Sequence, residues 1–114
     1  MNLKFIQPEN NIGKTKITVH KSGKLGLSTQ ATKSLMVDIH KFLKFGIDKN
    51  NKIFIIALEY DDGDCFRIAK AGQYYYIKKD ENLLSALGVK KSDSVCFDFG
   101  KATNGYTELI RRNF

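Results

Sequence analysis

The chain has 114 residues, 42% of them hydrophobic, and a formal net charge of +7 from 19 Lys and Arg against 12 Asp and Glu. That length supports one compact domain, and the apolar content is too high for a disordered chain. No apolar run approaches the ~20 residues of a membrane-spanning helix, while the basic balance favours polyanionic partners such as nucleic acid.

Residues 1–13 precede the first regular pattern. Lys4 interrupts the opening and no apolar core follows, so no signal peptide is expected. Leu3-Lys4-Phe5-Ile6 reads as an added edge strand, and Pro8 with two Asn as a loop. Cys65 and Cys96 are the only thiols. Without export features they are expected to be buried and reduced, in a cytoplasmic protein. Basic charge gathers early: through Asp48 there are eight Lys and three acidic residues.

From residue 16 one structural unit is written twice, over 16–58 and 66–111, a pattern to be sought before any other. With Gly23 set on Gly72, Ile17-Thr18-Val19-His20-Lys21-Ser22 lies over Phe66-Arg67-Ile68-Ala69-Lys70-Ala71. Both read as a strand running into Lys-small-Gly, a tight turn whose glycine takes a backbone angle other residues avoid. A second strand follows in each unit, Lys24-Leu25-Gly26-Leu27 over Gln73-Tyr74-Tyr75-Tyr76.

Short helices come next, over 30–36 with Ser28 or Thr29 as N-cap, and over 81–87 with Asp80 as N-cap and Gly88 as terminator. Leu35-Met36-Val37 then matches Leu87-Gly88-Val89. Leu43, Phe45 and Ile47 match Val95, Phe97 and Phe99 at period two, the alternation of a half-buried strand. Those six side chains are expected inside, with Lys44, Gly46 and Asp98 outside. Turns at 48–51 and 100–105 lead to return strands over 52–58 and 106–111. The expected organisation is one domain: an N-terminal segment 1–13, a first unit 14–58, a linker 59–64 and a second unit 65–114. The linker holds four carboxylates around Gly63 without the ligand spacing of a calcium loop, so a solvated acidic turn is expected there and no metal.

Strand, Lys-x-Gly-Lys turn, strand, short helix ending Leu-Gly-Val, then hairpin resembles the AbrB, MazE and MraZ group of swapped-hairpin DNA-binding domains. The first unit matches from Ile17 through Val37 without a gap, and the second at Lys70-Ala71-Gly72 and Ala86 through Val95. The resemblance implies a mostly β fold, a barrel with short helices in which two units interleave their hairpins as a pseudo-dimer. One unit of this size buries too little surface to stand alone, which agrees. Ser28 and Ile77 stand where the family usually has Pro, Thr32 where it usually has Arg, and Gln73 where the first unit has Lys24.

The function the resemblance implies is a transcriptional regulator that contacts duplex DNA phosphates. The candidate DNA-binding residues are Lys16, Lys21, Lys24 and Lys33 around the first turn and helix, with Arg67, Lys70, Lys78 and Lys79 around the second. Lys24 and Lys33 fall at two family DNA-contact positions. Lysine on a flexible stem suits phosphate contact better than base readout. Lys91 is expected beyond the helix and away from the turns. Tyr74 and Tyr76 share one strand face and Tyr75 the other, for packing or for base stacking. His20, His40 and the cysteines lack zinc-ligand spacing, and no nucleophile elbow, P-loop or G-x-G-x-x-G occurs. No catalysis, cofactor, small-molecule substrate or membrane partner is expected; a further copy of the chain stays open as a homo-oligomeric partner. The alternative is a non-enzymatic interaction or assembly module that reuses the barrel without DNA, favoured by Thr32 and the aromatic second unit.

Overall fold

The computed structural model describes Leu3 and residues 15–112. The edge strand expected over residues 3–6 therefore lies outside the described residues, save Leu3 itself. Residues 16–58 form β1 (Lys16–Val19), β2 (Leu25–Leu27), α1 (Thr29–Leu35), β3 (Phe42–Ile47) and β4 (Ile53–Leu58). Residues 65–111 form β5 (Cys65–Arg67), β6 (Ala69–Ala71), β7 (Tyr74–Ile77), α2 (Glu81–Ala86), β8 (Val95–Thr103) and β9 (Tyr106–Arg111). The element order repeats, with one difference. Where a single strand is expected over 66–71, two short ones meet at Ile68, whose side chain is buried and whose N–H donates to the Lys41 carbonyl at 2.8 Å.

All pairings are antiparallel, in one sheet ordered β5-β3-β4-β9-β8-β1-β2-β7-β6. The two ends of that order, β5 and β6, are consecutive in the chain, so the sheet curls into a nearly closed barrel. Exchange the repeats, β1 for β5–β6, β2 for β7, β3 for β8 and β4 for β9, and the order maps onto itself. The hairpin β3–β4 lies between β5 and β9, both from the second repeat. The hairpin β8–β9 lies between β1 and β4, both from the first. The barrel is mostly β, with its hairpins interleaved. No helix among the described residues is long and apolar enough to cross a membrane.

Both helices begin and end by the same local chemistry. The Ser28 hydroxyl accepts the Ala31 N–H at 3.2 Å, and an Asp80 carboxylate oxygen accepts the Leu83 N–H at 2.9 Å, which relieves the unpaired donors of each first turn. At the other end Val37 N–H donates to the Thr32 carbonyl at 3.1 Å, and Val89 N–H to that of Leu84 at 3.0 Å. These six-residue closures need a left-handed residue just past the helix. Gly88 supplies it at φ 72°, whereas the first repeat forces Met36 to φ 54°.

The core runs through the barrel from Ile17, Val19, Leu25 and Leu43 to Ile55, Ile77 and Phe97, all at most 2% exposed. Of the six side chains expected inside, Leu43, Val95 and Phe97 are buried, and Phe45 and Phe99 pack half-buried against the core. Ile47 does not follow them and is 47% exposed. Its parity is right, since it lines one hollow with Phe45 and Ile53. It is the last residue of β3, beside the 48–51 turn, and stays exposed although Asn82, Leu83, Ala86 and Leu87 at α2 line the same hollow. Among the outward residues Gly46 is exposed, while Lys44 and Asp98 are half-buried. Cys96 breaks the alternation from the other side: it is buried opposite Thr18, and its carbonyl takes the Arg112 N–H at 2.8 Å. Both thiols are free, but Cys65 is only half-buried.

The left-handed Met36 yields a stability test. An L-residue in that conformation costs roughly 1–2 kcal/mol, offset in part by the ~0.5–1 kcal/mol that a glycine loses in chain entropy on folding. Met36 is 52% exposed, so little packing is forfeited. Met36→Gly should raise the stability read from urea unfolding by about 0.5–1 kcal/mol, and Gly88→Ala should lower it by about 1 kcal/mol. A destabilised Met36→Gly would contradict the shared helix ending.

Candidate nucleic-acid interface

The β1–β2 turn is closed by His20 N–H to the Lys24 carbonyl at 2.9 Å and Gly23 N–H to the His20 carbonyl at 2.8 Å, with Gly23 at φ 93°. A Cβ on Gly23 would meet Lys79 Cγ at 2.7 Å and Leu84 Cδ1 at 3.3 Å. The bare glycine therefore lets the aliphatic stem of Lys79, from the other repeat, lie on the turn. The β6–β7 turn differs: Ala71 pairs with Tyr74 across two residues, Gly72 at φ 63° and Gln73. Both glycines take the left-handed angle expected of them.

Beneath the β1–β2 turn lies a cleft of about 230 Å³. Lys21, Lys79, Lys90 and Lys91 line it, against the carboxylates Glu81 and Asp93, and Lys79 pairs with Glu81 at 3.2 Å. Lys90 and Lys91 are the residues that sequence reasoning missed, Lys91 having been expected away from the turns. The antiparallel partnership of Val19 with Val95 explains their place. It sets the loop before β8 beside the residues that follow β1, so the turn and the post-helix loop face each other.

The candidate cations fall into three neighbourhoods. Lys79 joins Lys21 in the cleft and continues into a shallower groove with Arg67 and Lys78. Lys33 lines a second cleft by α1 together with Tyr75, over whose ring Lys70 stands at 5.4 Å. Lys24 stands 4.4 Å over the Tyr76 ring. Lys16 shares none of these hollows; it is half-buried and pairs in register with Asp98. Among the described residues the ion pairs are Lys44–Asp62, Lys79–Glu81 and Arg112–Asp98, so of the candidate cations Lys79 alone meets a carboxylate there.

The tyrosines divide as expected. Tyr74 and Tyr76 stack on the outer face, 5.8 Å apart and tilted by 15°, while Tyr75 packs against the core. The Tyr74 hydroxyl crosses above Gly26 to meet His20 Nε2 at 3.0 Å. A Cβ on Gly26 would stand 2.0 Å from that hydroxyl, so the glycine is what opens the crossing.

The acidic linker is tied elsewhere, to β3. Asp61, Asp62 and Cys65 bring ligand-type atoms within 4.8 Å of one another. Asp62 is already engaged by Lys44 at 2.7 Å, by the Asp64 N–H at 3.0 Å and by the Cys65 thiol at 3.1 Å. Lys44 first, then those two donors, hold its carboxyl well below the usual carboxylate range.

No protein-family model matches the chain, and neither a curated protein nor a solved structure matches it.

The linker contact has a pH signature. A carboxyl depressed by its folded partners stabilises the fold above its unfolded value of 3.8, and that contribution is lost as pH falls through the folded value. Lys44→Met removes the largest cause. Followed by carboxyl NMR, the Asp62 titration should move up toward the ordinary range; an unmoved titration would show that Lys44 does not hold it.

Proposed function

We propose that this chain is a non-enzymatic DNA-binding regulator of the AbrB, MazE and MraZ type, gripping duplex DNA through backbone phosphates. The observation that supports it best is the gathering of Lys21, Lys79, Lys90 and Lys91 from both repeats at one end of the barrel, continued by Arg67 and Lys78. Lys79 meets Glu81, but Lys21, Lys90 and Lys91 form none of the ion pairs among the described residues, and release of DNA counterions rewards such cations. Lysine dominance favours phosphate contact over base readout, so sequence preference is modest. The interleaved hairpins agree with the resemblance seen in the sequence.

A second reading, an assembly module, draws on a different observation. Ile47 and Tyr106, 47% and 43% exposed, meet with Phe54 in an open apolar hollow at the hairpin tips, and Ile110 stands 49% exposed nearby in the sequence. Apolar groups on show in that way suit protein contact.

Fluorescence anisotropy of a labelled random-sequence duplex separates the two. Binding should weaken linearly in log–log terms as salt rises, with a slope of about −0.9 per phosphate neutralised. Lys78→Ala should weaken binding to all sequences alike and flatten the slope by about one unit. A protein that binds no duplex even at low salt would leave the assembly reading in its place.

A further inference from the structure

The clefts beside the two helix ends are equivalent by the repeat, yet they differ in charge: one lysine faces one carboxylate in the first, four lysines face two carboxylates in the second. The offset that sets Leu35 on Leu87 also carries the lining residues Thr32, Lys33, Val37, Asp38 and Ile39 onto Leu84, Ser85, Val89, Lys90 and Lys91. Where the second repeat places two ammonium groups, the first has a carboxylate and an apolar side chain. Tyr75 fills the wall of the first-repeat cleft and turns its hydroxyl to Asp38 at 3.5 Å.

The chain leaving each helix differs as well. After α1 it winds back onto the helix end, with Ile39 and His40 N–H groups on the Met36 carbonyl and His40 Nδ1 on that of Leu35 at 2.8 Å. After α2 it swings outward into a turn, closed by Asp93 N–H to the Lys90 carbonyl at 3.1 Å with Ser92 at φ 68°. A serine in the left-handed region is uncommon, and this turn presents Lys90 and Lys91 to the β1–β2 turn.

A phosphoryl group concentrates charge on a few oxygens and is held best where several charged donors converge. The α2 cleft brings four lysines from three separate segments to one hollow, lined also by the hydroxyl-bearing Ser85 and Ser92, where they outnumber the two carboxylates, Asp93 and the Glu81 that pairs with Lys79. At about 230 Å³ it falls below the roughly 300–1,000 Å³ of cavities that hold drug-sized ligands, so it suits one phosphate rather than a whole small molecule. We infer that the chain carries a single phosphoryl seat, formed by Lys21, Lys79, Lys90 and Lys91, and that the repeat-equivalent cleft by Tyr75 takes none. This deepens the DNA reading and rests on it for the source of the phosphate. A pseudo-symmetric barrel with one seat meets DNA from one side, so it asks for no twofold-symmetric site.

The test uses the full chain, its Lys90→Ala/Lys91→Ala variant and Lys33→Ala, each with duplex DNA by anisotropy and with inorganic phosphate by amide NMR. Thermal melts confirm that all three are folded. The inference expects phosphate to shift the amides of Ser22 and Ser92 in the unaltered protein, with no such shifts in the double variant. It also expects the double variant's DNA salt slope to be shallower by about two units, while Lys33→Ala keeps the phosphate shifts at Ser22 and Ser92. Duplex binding with an unaltered slope in the double variant would overturn the seat and leave the DNA reading standing. Phosphate shifts at Ser22 and Ser92 without any duplex binding would uphold the seat with free phosphate as its source, and overturn the DNA reading. Equal phosphate shifts around Lys33 and Tyr75 would overturn the single seat, and no response to either probe would overturn both ideas.

Discussion

Both edges of the β1–β2 hairpin and both edges of the β3–β4 hairpin are closed by strands of the other repeat, and the rest of the structure depends on that exchange. Taken alone, β1–β2 and β3–β4 would present unpaired N–H and C=O groups along their outer strands, a costly condition for any backbone that is also to be buried. With β8 against β1, β5 against β3, β9 against β4 and β7 against β2, those groups are satisfied within one polypeptide. The same exchange assembles the core. Ile17 lies in register with Phe97, Leu25 with Ile77 and Leu43 with Phe66, so no repeat owns a hydrophobic interior of its own.

Interleaving also makes the candidate interface. The β1–β2 turn belongs to the first repeat, but the residues that wall its cleft belong to the second, and Lys79 crosses Gly23 because no side chain stands there. Duplicated units can then diverge in chemistry while keeping their geometry. The six-residue closures at Val37 and Val89 hold both post-helix segments in matching places. What those segments carry is free to differ, and it does: Asp38-Ile39 in one, Lys90-Lys91 in the other.

Much of this was legible in the chain because it is written in local rules. Period two in the strands, Ser28 and Asp80 as caps, Leu-Gly-Val as a helix ending and Gly23 and Gly72 as left-handed turn residues each act over a few residues. The features that escaped depend on partners far away in sequence. Ile47 has the parity of a core residue, but it ends β3 beside the turn and is left exposed. The break at Ile68 comes where one strand must serve both ends of the sheet. Cys96 is buried although the alternation of Val95, Phe97 and Phe99 puts it on the opposite face. Lys91 reaches the β1–β2 turn through the pairing of β1 with β8, which no spacing within its own segment announces.

The exchange of strands between the repeats is therefore the claim to test first, and amide and Hα NOEs measure it directly in a protein shown to be monomeric by sedimentation. Cross-strand contacts should link Ile17 to Phe97, Leu27 to Tyr75, Leu43 to Phe66 and Ile53 to Leu109, pairs that each join one repeat to the other. A spectrum in which residues 16–58 pair only among themselves, and 65–111 likewise, would contradict the interleaved barrel and every inference built on it.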